Sequence, residues 1–202
     1  MTKIKFCGLS RPCDIEAANE LKSDYIGFVF APKSKRYVTP QKAMELRRLL
    51  HPGIRAVGVF VNERPEAIAE LLRDGVIDIA QLHGSEDADY ITRLRQLTDR
   101  PVIQAFGIKT EKDLKETESC SADCVLLDSG AGTGTVFDWD LIRNIRRPYF
   151  LAGGLDPDNV AEAVRLLHPY AVDVSSGIET DGRKDKSKMA AFAAAVRREE
   201  NL

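Results

Sequence analysis

Eight short apolar runs recur along the chain, and a stretch with helical spacing of apolar residues follows each of them. The eight units divide 202 residues into segments of roughly 25 residues, which leaves nothing over for a second domain. Alternating strands and helices predict a parallel sheet with right-handed crossovers. The predicted strands are residues 4–6, 25–30, 55–61, 77–82, 101–106, 124–127, 148–152 and 171–174.

Two glycine-bearing loops follow the last two predicted strands, at residues 151–157 and 172–178. Each exposes backbone N–H groups where a side chain would block them, as phosphate-binding loops do. Such a site after strands seven and eight recurs in the (β/α)8 barrel. An open doubly wound sheet is the alternative. We therefore predict an α/β fold, a single minimal eight-stranded parallel TIM barrel over residues 1–202.

Local signals predict where the helices begin and end. Gly75 should end the third helix, and the last helix should cover residues 185–198. The predicted N-terminal caps are Ser10, Thr39 with Pro40, Ser85, Asp138, and Asp156 with Pro157, and a short polar helix is predicted to follow from Thr110.

Composition excludes several classes of function. The 29 basic and 31 acidic residues give a net charge of −2, whereas a nucleic-acid surface normally shows a basic excess. No apolar run is long enough to cross a membrane, and the N-terminal residues lack the apolar core of a signal peptide, so we expect a cytoplasmic protein without a membrane partner. Four cysteines do not suggest a disulfide framework, and Cys120 and Cys124 lack a matching pair for a metal.

Polar residues at the ends of the predicted strands are the candidates for chemistry. Cys7 follows the first strand and is either a buried inert thiol or a base, which would need a positive field to form its thiolate. Asp128 ends the sixth strand. Its carboxyl group either accepts hydrogen bonds from the following loop or, with a pKa raised by burial, acts as a general acid.

Three more candidates have two interpretations or a structural one, and the glycine loops supply the predicted phosphate contacts. Arg36 lies in a basic loop and is either solvated or grips a carboxylate through two hydrogen bonds. His83, two residues after Gln81, is either a base or a partner of the next helix start. Asp173 lies inside the last strand and more simply serves as a structural hydrogen-bond acceptor. In the glycine loops, Gly154, Ser176 and Gly177 are the predicted phosphate contacts.

Short segments at these strand ends form a recognisable set. They are KFCG at 5–8, GFVF at 27–30, SKRY at 34–37, VGVFVN at 57–62, QLHG at 81–84, LLD at 126–128, GTG at 132–134, FDW at 137–139, LAGG at 151–154 and VDVSSG at 172–177. In this order they resemble the phosphoribosylanthranilate isomerase family over essentially the whole chain. The departures from the family pattern are Phe6, Ala131 and the pair Thr135-Val136.

The resemblance implies an Amadori rearrangement of N-(5-phosphoribosyl)anthranilate to 1-(2-carboxyphenylamino)-1-deoxyribulose 5-phosphate, the third step of tryptophan biosynthesis. It implies Cys7 as general base, Asp128 as general acid and Arg36 as the contact of the anthranilate carboxylate. It implies no metal and no organic cofactor, and a phosphorylated small molecule as partner of a monomer or homodimer. The remaining substrate-binding residues would be Gln81, His83, Gly153, Gly154, Ser175, Ser176 and Gly177.

Three alternatives compete with this interpretation. Another sugar-phosphate isomerase or epimerase could use the same barrel, although the metal-dependent epimerases need paired Asp and His groups that are not offered at the strand ends. A dual-substrate isomerase with two catalytic aspartates would need an acidic residue where Cys7 stands. A catalytically silent phosphate-binding barrel would not need both Cys7 and Asp128.

Overall fold

The computed structural model describes residues 1–128, 139–143 and 145–199. Eight parallel strands, each hydrogen-bonded to the next, form a closed barrel, in which the first strand also pairs with the eighth. The predicted (β/α)8 barrel is confirmed. The strands are β1 (Lys3–Cys7), β2 (Tyr25–Val29), β3 (Arg55–Phe60), β4 (Ile79–Leu82), β5 (Val102–Gly107), β6 (Cys124–Asp128), β7 (Tyr149–Ala152) and β8 (Ala171–Val174).

Helices surround the barrel on its outside. A two-stranded hairpin, β9 (Glu179–Thr180) and β10 (Arg183–Lys184), stands between β8 and the last helix. Two short 3-10 turns occupy Trp139–Ile142 and Ser176–Ile178. The α-helices of the described residues are α1 (Pro12–Glu20), α2 (Pro40–Arg47), α3 (Pro65–Arg73), α4 (Ala88–Arg95), α5 (Glu111–Ser119), α6 (Val160–Leu167) and α7 (Lys186–Glu199).

The alternation of side chains along β1 shows how the strands divide the core. Phe6 points outward, where its ring packs edge-on against Phe192 of α7 at 6.4 Å between centroids. Its neighbours Lys5 and Cys7 belong to the opposite, inward face, because successive strand residues point to opposite sides. All three side chains are buried. The strands therefore contribute one face to the helix layer and the other to the barrel interior.

Three of the predicted helix signals are confirmed. The side chain of Thr39 accepts a hydrogen bond from Lys42 N at the start of α2, and Pro40 occupies its first turn. Thr110 caps α5 through Asp113 N. Gly75 follows the end of α3 with a φ of +71°, a conformation that glycine adopts without steric cost.

Two predicted caps are wrong because a better starting residue lies just beyond them. α1 begins at Pro12 rather than after Ser10, since proline fits the first turn of a helix, and the N-cap is Arg11. α4 begins after Asp87 rather than Ser85, and the Asp87 side chain accepts from Tyr90 N.

Of the two helix starts predicted late in the chain, one differs from the structure and the other lies outside the described residues. Asp156 closes a turn over Asp158 N and Asn159 N, so α6 begins three residues later than predicted. Asp138 lies outside the described residues, and a 3-10 turn follows it at Trp139–Ile142. No helix in the described part of the chain has the length and apolar character of a membrane span.

Candidate active site

A cavity of about 320 Å³ opens at the carboxyl ends of the barrel strands. This is the volume range of small-molecule sites. It brings together all but one of the residues that the sequence nominated: Cys7, Arg36, Gln81, His83, Asp128, Gly153, Gly154, Ser175 and Ser176 line it.

Cys7 ends β1 and is 8% exposed at the floor of the cavity. It stands opposite Gly27 in the pairing of β1 with β2. A Cβ atom on Gly27 would lie 2.7 Å from Cys7 Sγ, closer than atoms approach without something moving. The glycine on the neighbouring strand therefore makes the space that the thiol occupies.

Charged groups surround the Cys7 thiol. Burial raises the pKa of Cys7, the Lys5 ammonium opposes this rise, the Asp173 carboxylate adds to it, and Lys184 also opposes it. Lys5 is completely buried, and its Nζ donates to Asp173 Oδ1 at 2.9 Å. The prediction that Asp173 serves as a structural hydrogen-bond acceptor is confirmed.

A series of side-chain contacts leads from β4 to Asp128. His83 Nε2 lies 3.5 Å from Asp128 Oδ2, and His83 Nδ1 lies 3.0 Å from Gln81 Nε2. With the amide nitrogen donating to Nδ1, the imidazole carries its hydrogen on Nε2, which faces the carboxyl group. His83 thus contacts Gln81 and Asp128 rather than the start of the next helix.

Arg36 is held from behind by the β9–β10 hairpin. Its Nε and Nη2 donate to the two carboxylate oxygens of Glu179 at 2.6 and 2.8 Å. Burial alone would raise the pKa of Glu179, but hydrogen bonds and charges from Arg36 and Lys184 lower it to about 2. Among the described residues no hydrogen bond engages Arg36 Nη1, so this side of the guanidinium is available to a ligand in the cavity.

The two glycine loops pack against each other at the rim. Gly153 and Gly154 have φ values of +86° and +66°, which a side chain would disfavour. Gly177 does not line the cavity. A Cβ on it would collide with the carbonyl oxygen of Leu155, so its role is to let the second loop approach the first.

The loop after β8 is also tied to Cys7 and to the hairpin. Ser175 Oγ donates to the Cys7 carbonyl oxygen at 3.1 Å. Lys184, 8% exposed, donates to Ser175 O at 2.8 Å and to Glu179 Oε1 at 2.6 Å. These bonds join the rim residues of β1, β8 and β10.

Lys5, Glu179 and Lys184 are site residues that the sequence did not nominate. Lys5 had a signal, because it is two residues from Cys7 on one strand and therefore shares its inward face. Glu179 and Lys184 had none, because the hairpin strands have two residues each and show no apolar periodicity. In the parts of the chain that the structure describes, no three His, Cys, Asp or Glu side chains group as metal ligands would.

A closed eight-stranded barrel with a thiol and a carboxyl group in one cavity at the carboxyl ends of its strands defines a (β/α)8-barrel enzyme. The sequence profile of the N-(5'-phosphoribosyl)anthranilate (PRA) isomerases matches residues 4–195. The chain belongs to this family, and the predicted isomerase activity in tryptophan biosynthesis is confirmed.

Individual relatives agree with the family. The N-(5'-phosphoribosyl)anthranilate isomerase of Endomicrobium trichonymphae is 46% identical over 194 residues, covering 94% of this chain and 95% of the relative. That of Thermoanaerobacter sp. strain X514 is 45% identical over 204 residues, with 98% of each chain covered. The comparisons do not favour a silent phosphate-binding barrel or another sugar-phosphate isomerase.

Solved structures agree as well. The crystal structure of phosphoribosyl anthranilate isomerase from Thermotoga maritima superposes with a TM-score of 0.89 at 36% identity, covering 98% of this chain and 100% of that one. A phosphoribosyl anthranilate isomerase in complex with reduced 1-(o-carboxyphenylamino)-1-deoxyribulose 5-phosphate has a TM-score of 0.87, with the same identity and coverage.

Proposed function

We propose that the cavity at the carboxyl ends of the strands is the catalytic site of the isomerisation, with Cys7 as general base and Asp128 as general acid. The observation that supports this most directly is that both groups line one cavity from strands that are not neighbours in the barrel. A substrate between them can receive a proton at one atom and lose one at another.

The two roles follow from the chemistry of an aminofuranose. Asp128, protonated, delivers its proton to the ring oxygen as the C1–O bond breaks, which leaves an iminium ion. The iminium acidifies the C2 hydrogen, so a Cys7 thiolate is basic enough to remove it. The resulting enolamine tautomerises to the ketone, and the proton transfers among substrate, Cys7 and Asp128 balance without any redox step.

The two anionic ends of the substrate match two parts of the rim. The glycine loops offer the phosphate the backbone N–H groups of Gly153, Gly154, Ser175 and Ser176 and the Ser176 hydroxyl, since the Ser175 hydroxyl already donates to the Cys7 carbonyl oxygen. Gly177 lets the two loops lie close together. The Nη1 side of Arg36 receives the anthranilate carboxylate. Gln81 and His83 orient the Asp128 carboxyl group.

The remaining features of the protein follow from this assignment. We propose that residues 1–202 act as one catalytic domain in the cytoplasm, as a monomer or homodimer. The partner is the phosphorylated substrate, and no nucleic acid or membrane takes part. The nearly balanced charge of the chain supports this proposal.

The test is the loss of phosphoribosylanthranilate fluorescence after adding purified protein. Cys7→Ser and Asp128→Asn should each abolish turnover, while circular dichroism and the unfolding midpoint stay close to those of the unmodified chain. Cys13→Ser and Asp99→Asn replace exposed residues of the same types and should retain activity. Full turnover in either site variant would remove that residue from its assigned role.

A further inference from the structure

Lys5 is a cation in the interior of the barrel, and a contribution to stability does not by itself explain why a charge is buried there. Its side chain is fully buried and its carboxylate partner, Asp173, is 8% exposed. Removing two charges from water costs about as much as their attraction returns, so a buried ion pair is weak evidence of a stabilising role. The position of this pair within the active site therefore says more about its role than its contribution to stability does.

Lys5 and Cys7 lie on one face of β1, two residues apart. The partner of Lys5 comes from β8, directly opposite it in the strand pairing. The ammonium therefore sits beneath the thiol, inside the barrel and out of water, where the effective dielectric constant is low and a charge acts more strongly on its neighbours.

We propose that Lys5 is a positioning residue for the general base: its ammonium favours the thiolate form of Cys7 against the effect of burial, and Asp173 moderates this influence. The inference rests on the proposed role of Cys7 in the isomerisation. It adds a residue that acts on the substrate only through the thiol.

The other charged groups around Cys7 fit this assignment. Lys184 of β10 and Arg36 of the loop after β2 also act on the thiol, and both are bound to Glu179. With Lys5 and Asp173, these three cations and two carboxylates leave one positive charge. A Cys7 thiolate neutralises it, whereas a neutral thiol leaves this group of charges with a net positive charge.

The pKa directions agree with the geometry. Burial alone would lower the pKa of Lys5, but Asp173 and Cys7 raise it, so Lys5 stays protonated. Burial raises the pKa of Cys7, and among the charged groups Lys5 opposes this most strongly. Loss of Lys5 must therefore disfavour the thiolate, and loss of the Asp173 charge must favour it.

The experiment measures the charge of Cys7 directly. In a chain with Cys13, Cys120 and Cys124 replaced by serine, Cys7 is the only thiol, and its rate of alkylation by iodoacetamide is followed against pH. Lys5→Met should raise the midpoint of this curve by about one pH unit or more, and Asp173→Asn should lower it by a smaller amount. An unchanged midpoint in Lys5→Met, or shifts of both variants in one direction, would overturn the inference.

Two further variants keep the test decisive. Lys3→Met removes a cation from the same strand that contacts Tyr170 rather than Cys7, and should leave the midpoint unchanged. If Lys5→Met folds poorly because Asp173 is left unpaired, Lys5→Met/Asp173→Asn removes the pair together. Its midpoint should still exceed that of the unmodified chain, since the effect of Lys5 on the thiol is the larger of the two.

The pH profile of kcat/KM separates this inference from the proposed function. The acidic limb should move with the alkylation midpoint in Lys5→Met. If the alkylation midpoint shifts but the acidic limb of the kcat/KM profile does not, Lys5 acts on the thiol as inferred, but Cys7 is not the base.

Discussion

Gly27 and Cys7 stand opposite each other on adjacent strands, so close that a Cβ on Gly27 would lie 2.7 Å from Cys7 Sγ and 3.1 Å from Cys7 Cα. The strand pairing fixes both backbones, which leaves the thiol as the group that must move. Displacing a reacting atom by about 1 Å can reduce a rate by about a hundredfold.

Gly27→Ala should therefore lower kcat by about one to two orders of magnitude and leave a folded barrel. Steady-state kinetics and circular dichroism check this. Gly107→Ala is the matched control, because Gly107 also lies in a barrel strand, but a Cβ on it would meet no atom of the described residues within 4 Å. Normal kcat in Gly27→Ala would show that the thiol tolerates the displacement.

Gln81 and Gln104 are a second informative pair. Both are buried, and the Oε1 of each has no hydrogen-bond partner among the described residues. An unsatisfied buried acceptor destabilises a fold by about 1–3 kcal/mol. Gln81 faces the cavity, whereas Gln104 faces a groove between α4 and α5.

Gln104→Leu should raise the free energy of unfolding by about 1 kcal/mol without changing kinetics. Gln81→Leu should raise it less, since it also breaks the contact with His83, and should lower kcat/KM about tenfold by releasing His83 from Asp128. Urea unfolding and kinetics measure both. Equal kinetics in the two variants would mean that Gln81 does not act on Asp128.

Arg36→Met tests the proposed carboxylate contact. Loss of a charge-assisted hydrogen bond should lower kcat/KM by about 1–3 kcal/mol of transition-state binding, mostly through a higher KM. Arg47→Met is the control, because Arg47 pairs with Asp78 at 3.0 Å and does not line the cavity. Kinetics unchanged by Arg36→Met would return Arg36 to a structural role on Glu179.

The lowered pKa of Glu179 predicts how the free energy of unfolding depends on pH. Its pKa is lowered from 4.5 to about 2 in the folded protein. A lowered carboxyl pKa stabilises the fold above the unfolded value, and this contribution is lost as the pH falls from 4.5 toward 2. Glu179→Gln should thus lower the free energy of unfolding at pH 7, and the difference from the unmodified chain should shrink between pH 5 and pH 3.

Denaturant unfolding at several pH values measures this difference. Glu45→Gln on α2 is the comparison, because its partner Lys42 is 43% exposed and Glu45 is 52% exposed, and such surface pairs contribute at most about 1 kcal/mol. A difference for Glu179→Gln that stays constant with pH would contradict the assignment of the charge to this carboxylate.

The sequence predicted those features that depend on short-range pattern. Apolar runs located the strands, and the strand ends located Cys7, Arg36, Gln81, His83 and Asp128 on one rim. The caps at Ser10 and Ser85 were wrong because several polar residues precede each helix and the choice depends on local geometry. The ion pairs that support the rim residues could not be predicted. The contacts of Arg36 with Glu179 and of Lys5 with Asp173 join residues that are 143 and 168 positions apart.

The separation of Lys5 from Asp173 also bears on how the chain folds as it is made. During translation Lys5 leaves the ribosome 168 residues before its partner. Because β1 pairs with β8, the barrel cannot close until β8 arrives, and an ammonium buried without its carboxylate partner would be strongly unfavourable. Pairing of strands so distant in sequence is also slow to form. The strand that closes the barrel therefore also brings the carboxylate that accepts the Lys5 hydrogen bond.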